Sequence, residues 1–151
     1  MVISACGKPA EQKSGKTETP KKEELVLAIG SDPAKGWDPL KGWGSYGSTL
    51  FQSKLLKRYA KLQLQNDLAE EYKVSEDRKV WAVKIRKDAK FSDGKPLTAK
   101  DVVFTYNTGK AEKGSVAGKL ATMKEAKVIY DHTLEFHLTQ PDINFAYKIY
   151  F

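Results

Sequence analysis

Alternating apolar and polar positions predict a strand near the middle of the chain. Across residues 80–86 (VWAVKIR), Trp81, Val83 and Ile85 occupy every second position, so one face of the strand is apolar and the other is wet. Residues 92–94 (SDG) follow it. Aspartate can hydrogen-bond its own backbone and glycine accepts a positive φ, so this tripeptide predicts a tight turn.

A capped, amphipathic helix is predicted directly after the turn. Thr98 stands three residues before Asp101, which is the spacing of a capping box, and Asp101 also suits the positive end of the helix dipole. One face of the helix is then apolar until it ends in lysine: Ala99, Val102, Val103, Tyr106 and Lys110. Gly109 is predicted to end the helix.

Other elements are predicted on the N-terminal side of this unit. Residues 25–29 (LVLAI) form a continuous apolar run, which predicts a fully buried, parallel strand. A helix is predicted over residues 48–59, because its apolar residues form a stripe and basic residues occupy its last turn. A short helix that contains residues 70–71 is predicted just before the strand at 80–86.

The C-terminal side is predicted to contain a pair of strands. Residues 110–118 are interpreted as a loop, and residues 127–130 and 133–138 as strands joined by a turn at 131–132. The side chains expected to face inwards are Leu134, Phe136 and Leu138. Pro141 is expected to close the second strand, and the aromatic segment 144–151 is predicted to be helical.

Charge and hydropathy narrow the class of protein. The net charge is +7, with 26 Lys and Arg against 19 Asp and Glu, but only Arg58, Arg78 and Arg86 are arginines. Nucleic-acid readers favour arginine, so the pattern indicates a lysine-rich solvated surface or attraction to an anionic membrane. No apolar run reaches the roughly 20 residues of a spanning helix. The alternative function that remains is a basic surface adhesion or nucleic-acid-binding module.

The residue types that usually perform catalysis form no recognised motif. His132 and His137 match no zinc-binding spacing and are interpreted as solvated. No nucleophile motif such as GxSxG accompanies them. The acidic pairs at 70–71 and 76–77 are interpreted as surface charge rather than as an acid/base couple. The sequence therefore predicts no enzyme, no metal site and no cofactor.

A series of short motifs resembles a known family. The segments DLAE (67–70), VSED (74–77), IRK (85–87), KFSDG (90–94) and PLTAKDVVF (96–104) occur in the order and spacing of the family 5 extracellular solute-binding proteins. These are the peptide- and nickel-binding receptors of bacterial ABC importers. A looser resemblance extends from Leu25 to Phe151.

The resemblance implies both a fold and a role. The expected fold is α/β, with residues 25–151 as the N-terminal part of the larger lobe in a two-lobed, type II periplasmic-binding-protein-like receptor. Family members are much longer, so the chain is interpreted as truncated, which agrees with its uncovered aromatic end at Tyr150 and Phe151. The implied role is to capture a peptide or nickel chelate outside the membrane, as a monomer, and to deliver it to ABC permease subunits.

The resemblance also implies where a ligand would bind. In the family, the loop after the first strand faces the cleft between the lobes. Its glycines and aromatic residues match neither GxxxxGK[ST] nor GxGxxG, so a nucleotide site is not indicated. Trp37, Trp43 and Tyr46 are candidates to stack on the ligand, with filling of the core beneath the loop as the alternative. Thr49 and Gln52 are further candidates.

The first residues indicate a lipid anchor. Residues 3–6 (ISAC) resemble a lipobox, in which Cys6 would carry the diacylglycerol, and residues 1–6 are interpreted as the remnant of a lipoprotein signal. Cys6 is the single cysteine, so no internal disulfide can form. Residues 7–24 are predicted to be a disordered tether. The expected location is extracytoplasmic, anchored to the cell membrane.

Overall fold

A four-stranded antiparallel sheet and the helix packed on it form the main body of the protein. The structure is a computed structural model and describes residues 36–41, 52–59, 61, 63–112 and 115–149. Its helices and strands are β1 (Leu56–Arg58), β2 (Leu64–Asn66), β3 (Ala69–Val74), β4 (Val80–Ile85), α1 (Ala99–Ala111), α2 (Ser115–Lys119), β5 (Met123–Tyr130) and β6 (Thr133–Leu138). Single 3-10 turns occupy Pro39–Lys41 and Phe145–Tyr147.

The predicted strand at 80–86 lies inside the larger sheet. The sheet has the order β3-β4-β6-β5 with every neighbouring pair antiparallel, and β1 and β2 form a separate pair. In β4 the alternating residues Trp81, Val83 and Ile85 are buried, as predicted. The predicted hairpin is also confirmed, because β5 and β6 pair around residues 131–132 and Leu134, Phe136 and Leu138 are buried.

Helix α1 covers the apolar face of this sheet. Its buried residues include Ala99, Val102 and Tyr106, which are the positions that the helical periodicity marked. Phe136 lies at the centre of the contact, with its ring centroid 4.9 Å from that of Tyr106 and 5.4 Å from that of Phe145. The Tyr106 hydroxyl donates a hydrogen bond of 2.7 Å to the carbonyl of Ile149, so α1 also fixes the C-terminal segment.

The predicted capping box at the start of α1 is present. The backbone N–H and the hydroxyl of Thr98 each donate to Asp101 Oδ2, both at 2.8 Å. We expect Thr98→Ala to lower the free energy of unfolding by about 1 kcal/mol, the usual effect of removing an N-cap hydroxyl. Urea unfolding of Thr98→Ala and of the exposed neighbour Lys100→Ala measures this, and equal losses in the two variants would contradict a capping role.

Three predicted elements are wrong in the described part of the chain. The helix predicted over residues 48–59 is absent from its described part, because residues 52–55 are not helical and residues 56–58 form β1. Tyr59, expected on its apolar stripe, is 53% exposed. The predicted short helix around 70–71 is strand β3, whose strong helix formers are overridden by pairing with β4. The predicted loop at 110–118 contains the end of α1 and most of α2.

Gly109 does not end α1, which continues to Ala111. A Cβ atom at Gly109 would lie 3.0 Å from Leu40 Cδ2 and 3.1 Å from Val116 Cγ1. The glycine therefore permits close packing of α1 against its neighbours, and its role is steric rather than that of a helix stop.

The remaining differences concern the ends of the chain and the histidines. His132 and His137 are half-buried rather than solvated: His132 Nδ1 is buried without a hydrogen-bond partner in the described part of the chain, and His137 Nε2 lies 2.9 Å from Glu135. The predicted helix at 144–151 is a single 3-10 turn in its described part. The predicted strand at 25–29 and the tether at 7–24 lie outside the described residues.

Candidate functional site

Two of the predicted ligand-binding residues lie in the described part of the chain, and they are in contact. Gln52 Nε2 donates a hydrogen bond of 3.0 Å to the backbone carbonyl of Trp37. The Trp37 side chain is 44% exposed, so this tryptophan is not sealed in the core. Trp43, Tyr46, Thr49 and the predicted lipidation residue Cys6 lie outside the described residues.

Gln52 also lies at an apolar groove beside the first turns of α1. The groove encloses about 210 Å³ between residues 52–55, the loop before α1 and α1 itself. Its lining side chains are Pro39, Gln52, Ser53, Lys54, Leu55, Leu68, Phe91, Leu97, Asp101, Val102, Thr105 and Tyr106. This surface, which we call the apolar groove, brings together four separate regions of the sequence: residue 39, residues 52–55, residue 68 and residues 91–106.

A polar depression adjoins the apolar groove. It has a volume of about 400 Å³ and shares five residues with the groove, of which Gln52, Phe91 and Leu97 separate the two spaces. The residues that belong only to this polar depression are Arg86, Asp88, Ala89, Lys90 and Ser92. Apolar and charged surfaces therefore lie side by side, separated by a shared wall.

The predicted turn at 92–94 builds that wall. Gly94 has a φ of +85°, a conformation that glycine adopts without strain, and its N–H donates to the carbonyl of Phe91 at 2.9 Å. Lys90 and Pro96 form an antiparallel bridge across the turn, and the N–H of Leu97 donates to the carbonyl of Ala89 at 2.9 Å. These backbone hydrogen bonds hold the two apolar wall residues, Phe91 and Leu97, on either side of the turn.

The charges of the polar depression are unequally compensated. Arg86 donates from Nε to Asp88 Oδ1 at 3.0 Å and from an Nη atom to Oδ2 at 3.3 Å. This guanidinium lowers the pKa of the Asp88 carboxyl below its ordinary value, so both partners are charged at neutral pH. Lys90 forms no ion pair with any described residue, which leaves the depression with one uncompensated cation.

A buried lysine also lines the apolar groove. Lys54 is 5% exposed, and burial lowers its pKa, as do the nearby cations Lys119, Arg58 and Lys57, while Asp67 acts in the opposite direction. Asp67 accepts a hydrogen bond from the Lys54 backbone N–H at 2.9 Å and pairs with Lys57 Nζ at 3.0 Å. Asp67 therefore ties residues 54–57 to the start of β3.

Phe91 and Leu97 were not among the sequence-predicted site residues. They belong to the motif segments 90–94 and 96–104, which the sequence analysis used only as markers of the family and of a turn. The sequence did contain a signal for Phe91, because a large apolar residue beside a predicted turn is a candidate for a surface site. In the structure this side chain is 45% exposed. Phe91 and Leu97 line the same groove as residues 52–55, and such a long-range arrangement has no sequence pattern.

Neither a metal cluster nor a membrane span occurs in the described ranges. No group of three or more His, Cys, Asp or Glu side chains is arranged there to hold a metal ion. No helix within residues 36–41, 52–59, 61, 63–112 and 115–149 has the length and apolar character needed to cross a membrane.

A family model and a curated relative both relate this chain to the solute-binding proteins. The family model described as "Bacterial extracellular solute-binding proteins, family 5 Middle" matches residues 63–150. The oligopeptide-binding protein AppA of Bacillus subtilis is 38% identical over 96% of this chain, and the chain spans 28% of the length of AppA. The family's members are solute-binding proteins rather than enzymes, in agreement with the predicted lack of catalysis.

Solved structures agree on the fold. AppA from Bacillus subtilis in complex with a nonapeptide is 39% identical with a TM-score of 0.58, covering 64% of this chain and 19% of AppA. NikZ from Campylobacter jejuni in complex with Ni(L-His) has a TM-score of 0.62 at 24% identity, covering 65% of this chain and 20% of NikZ, and it supports the fold alone. The mixed α and β fold, a part of a type II binding-protein architecture, is thus confirmed. The chain belongs to the bacterial extracellular solute-binding proteins of family 5.

Proposed function

We propose that this chain is the N-terminal part of the substrate-binding component of an ABC importer. The component captures peptides or nickel chelates outside the membrane and delivers them to the permease subunits by closing two lobes around the ligand. The observation that supports this proposal most directly is the 38% identity to an oligopeptide-binding protein along nearly the whole chain. Trp37, Trp43, Tyr46, Thr49 and Gln52 are proposed to contribute to the ligand-facing wall.

The protein is proposed to act as a monomer held at the outer face of the membrane by a lipid on Cys6. Two acyl chains on one cysteine give stable anchoring, whereas a single chain binds only marginally. In cells that express the protein with its own leader, Cys6→Ser is expected to move it from the membrane fraction to the soluble fraction. Retention of the serine variant in the membrane fraction would refute a lipid anchor at this position.

Titration calorimetry of the full-length protein tests the receptor function. We expect saturable binding of an oligopeptide or of Ni(L-His) that changes little between 50 and 200 mM salt, because aromatic and apolar contacts are weakly screened, whereas phosphate-backbone contacts with DNA weaken by roughly a thousandfold or more over the same range. Binding of DNA with a steep salt dependence, and of neither solute, would favour the basic-module alternative instead.

A further inference from the structure

Strand β5 forms one edge of the four-stranded sheet, and part of its backbone points away from the sheet. In the described part of the chain, β6 is the one strand that pairs with β5. The N–H of Thr139 donates to the carbonyl of Thr122 at 2.9 Å, so along β6 the odd-numbered residues bond towards β5. Ala126 pairs with Phe136, an even-numbered residue, and its N–H and C=O therefore point to the open side of the edge.

A side chain from α1 takes both of these backbone groups. Asn107 Nδ2 donates to the carbonyl of Ala126 at 3.0 Å, and Asn107 Oδ1 accepts from the N–H of Ala126 at 2.9 Å. One carboxamide thus makes the pair of hydrogen bonds that a residue of an added strand would make. Ala126 is 4% exposed, so its backbone groups need such a partner.

The helical context of Asn107 does not account for this residue. Asparagine is among the less favourable residues inside a helix, because its side chain competes for backbone hydrogen bonds in non-helical conformations. Asn107 nevertheless lies well inside α1, which spans Ala99–Ala111, and its hydrogen bonds reach 19 residues along the chain. The contact with the sheet edge therefore explains why a carboxamide is present here.

The edge that Asn107 occupies is complementary to a second copy of itself. In an antiparallel pairing of two copies about Ala126, Glu125 of each copy would lie opposite Lys127 of the other. These two side chains already pair with each other at 3.0 Å within one chain. Residues 128–130 (Val, Ile and Tyr) continue the same strand with exposed fractions of 37%, 41% and 73%. An apolar, exposed edge strand is a site where another strand can add.

We infer that the Asn107 carboxamide closes the β5 edge and so prevents two copies of the chain from pairing through it. The amide takes the place of the neighbouring strand at Ala126, which is the centre of the self-complementary segment. This inference rests on the monomeric state proposed above, for which it supplies a structural cause, and it does not depend on the ligand.

Size-exclusion chromatography with light scattering tests this inference on the full-length protein over a wide range of concentrations. The wild type is expected to keep the mass of one chain. Asn107→Ala is expected to approach about twice that mass as the concentration rises, because its free edge can pair with the same edge of a second copy.

Two further variants separate an opened edge from a weakened helix. Thr98→Ala removes a hydrogen bond at the start of α1 and leaves the edge closed, so it is expected to keep the mass of one chain. The second variant combines Asn107→Ala with Val128→Lys. Lysine on an edge strand opposes pairing, and this lysine would lie opposite Lys124 of the second copy, so the mass of one chain is expected to return.

The outcomes separate the inference from the proposed function. An Asn107→Ala protein that keeps the mass of one chain overturns the inference, and so does association that persists after Val128→Lys is added or that Thr98→Ala shows equally. Association of the wild type overturns it as well. All of these results leave solute capture untouched, because titration calorimetry of the wild type tests it separately. Failure of the wild type to bind any peptide or nickel chelate overturns the receptor function and not the role of Asn107.

Discussion

Phe136→Ala is expected to lower the free energy of unfolding by about 3–5 kcal/mol, the cost of removing a buried phenyl ring and leaving a cavity. Phe136 has no exposed surface and its ring contacts those of Tyr106 and Phe145. The loss therefore reaches β6, α1 and the C-terminal segment together. Urea unfolding of the 151-residue chain, followed by circular dichroism, measures the change.

Phe104→Ala is the matched control for this prediction. The substitution removes the same ring, but Phe104 is 70% exposed on α1, so the expected change is within about 0.5 kcal/mol. A loss at Phe104 as large as that at Phe136 would show that α1 is buried on its outer side or that the sheet does not pack as described. A small loss at Phe136 would contradict the placement of the core.

Asp142→Asn is expected to lower the free energy of unfolding by about 1–3 kcal/mol, because it weakens a largely buried, charge-assisted network. Asp142 Oδ2 accepts the Thr122 hydroxyl at 2.6 Å and Lys148 Nζ at 2.5 Å, and Oδ1 accepts the Asn144 backbone N–H at 3.1 Å. The Asp142 side chain is 9% exposed. The network links the segment before β5 to the C-terminal 3-10 turn.

The control is the same substitution at an exposed ion pair. Asp88 is 76% exposed and pairs with Arg86, so Asp88→Asn should change stability much less than Asp142→Asn does. Thermal and urea unfolding at neutral pH measure the loss of stability in each of the two variants. Equal effects would mean that the Asp142 network contributes no more than a surface pair.

The Asp142 network also predicts a pH dependence. Burial raises the pKa of the Asp142 carboxyl, but hydrogen bonds from Lys148 and Thr122 outweigh it, and the net pKa lies below the ordinary value of 3.8. A carboxyl with a lowered pKa in the folded state stabilises the fold fully above its unfolded pKa and loses that contribution as the pH falls through the folded pKa. The stability difference between wild type and Asp142→Asn should thus be constant near neutral pH and shrink below pH 3.8.

The candidate site beside Gln52 depends on the same framework as these stability predictions. Helix α1 supplies Val102 to the floor of the apolar groove and Tyr106 to the core around Phe136. The capping box fixes where α1 begins, and residue 97, immediately before it, lines the groove. Variants that unfold the core should lose ligand binding indirectly.

Local patterns in the sequence correctly predicted those elements whose structure depends only on residues within one short segment. The alternation through β4 and β6, the turn at 92–94 and the capping box of α1 each depend on residues within a few positions of one another, and all three are present. The order of the motif segments likewise identified the family, because that order is a property of the sequence itself.

Only the tertiary structure showed those features that depend on contacts between residues far apart in the sequence. The turn between β1 and β2 has Lys61 at a φ of +61°, a conformation that favours glycine, so no turn signal in the sequence marked this hairpin. Strand β3 consists mostly of exposed residues with helical preference, and only its pairing with β4 makes it a strand. Gly109 permits the close approach of Leu40 and Val116, and the apolar groove is lined jointly by residues 52–55, by Phe91 and Leu97, and by α1. Such contacts leave no periodicity in the sequence, since each joins segments whose separation along the chain is unrelated to any local repeat.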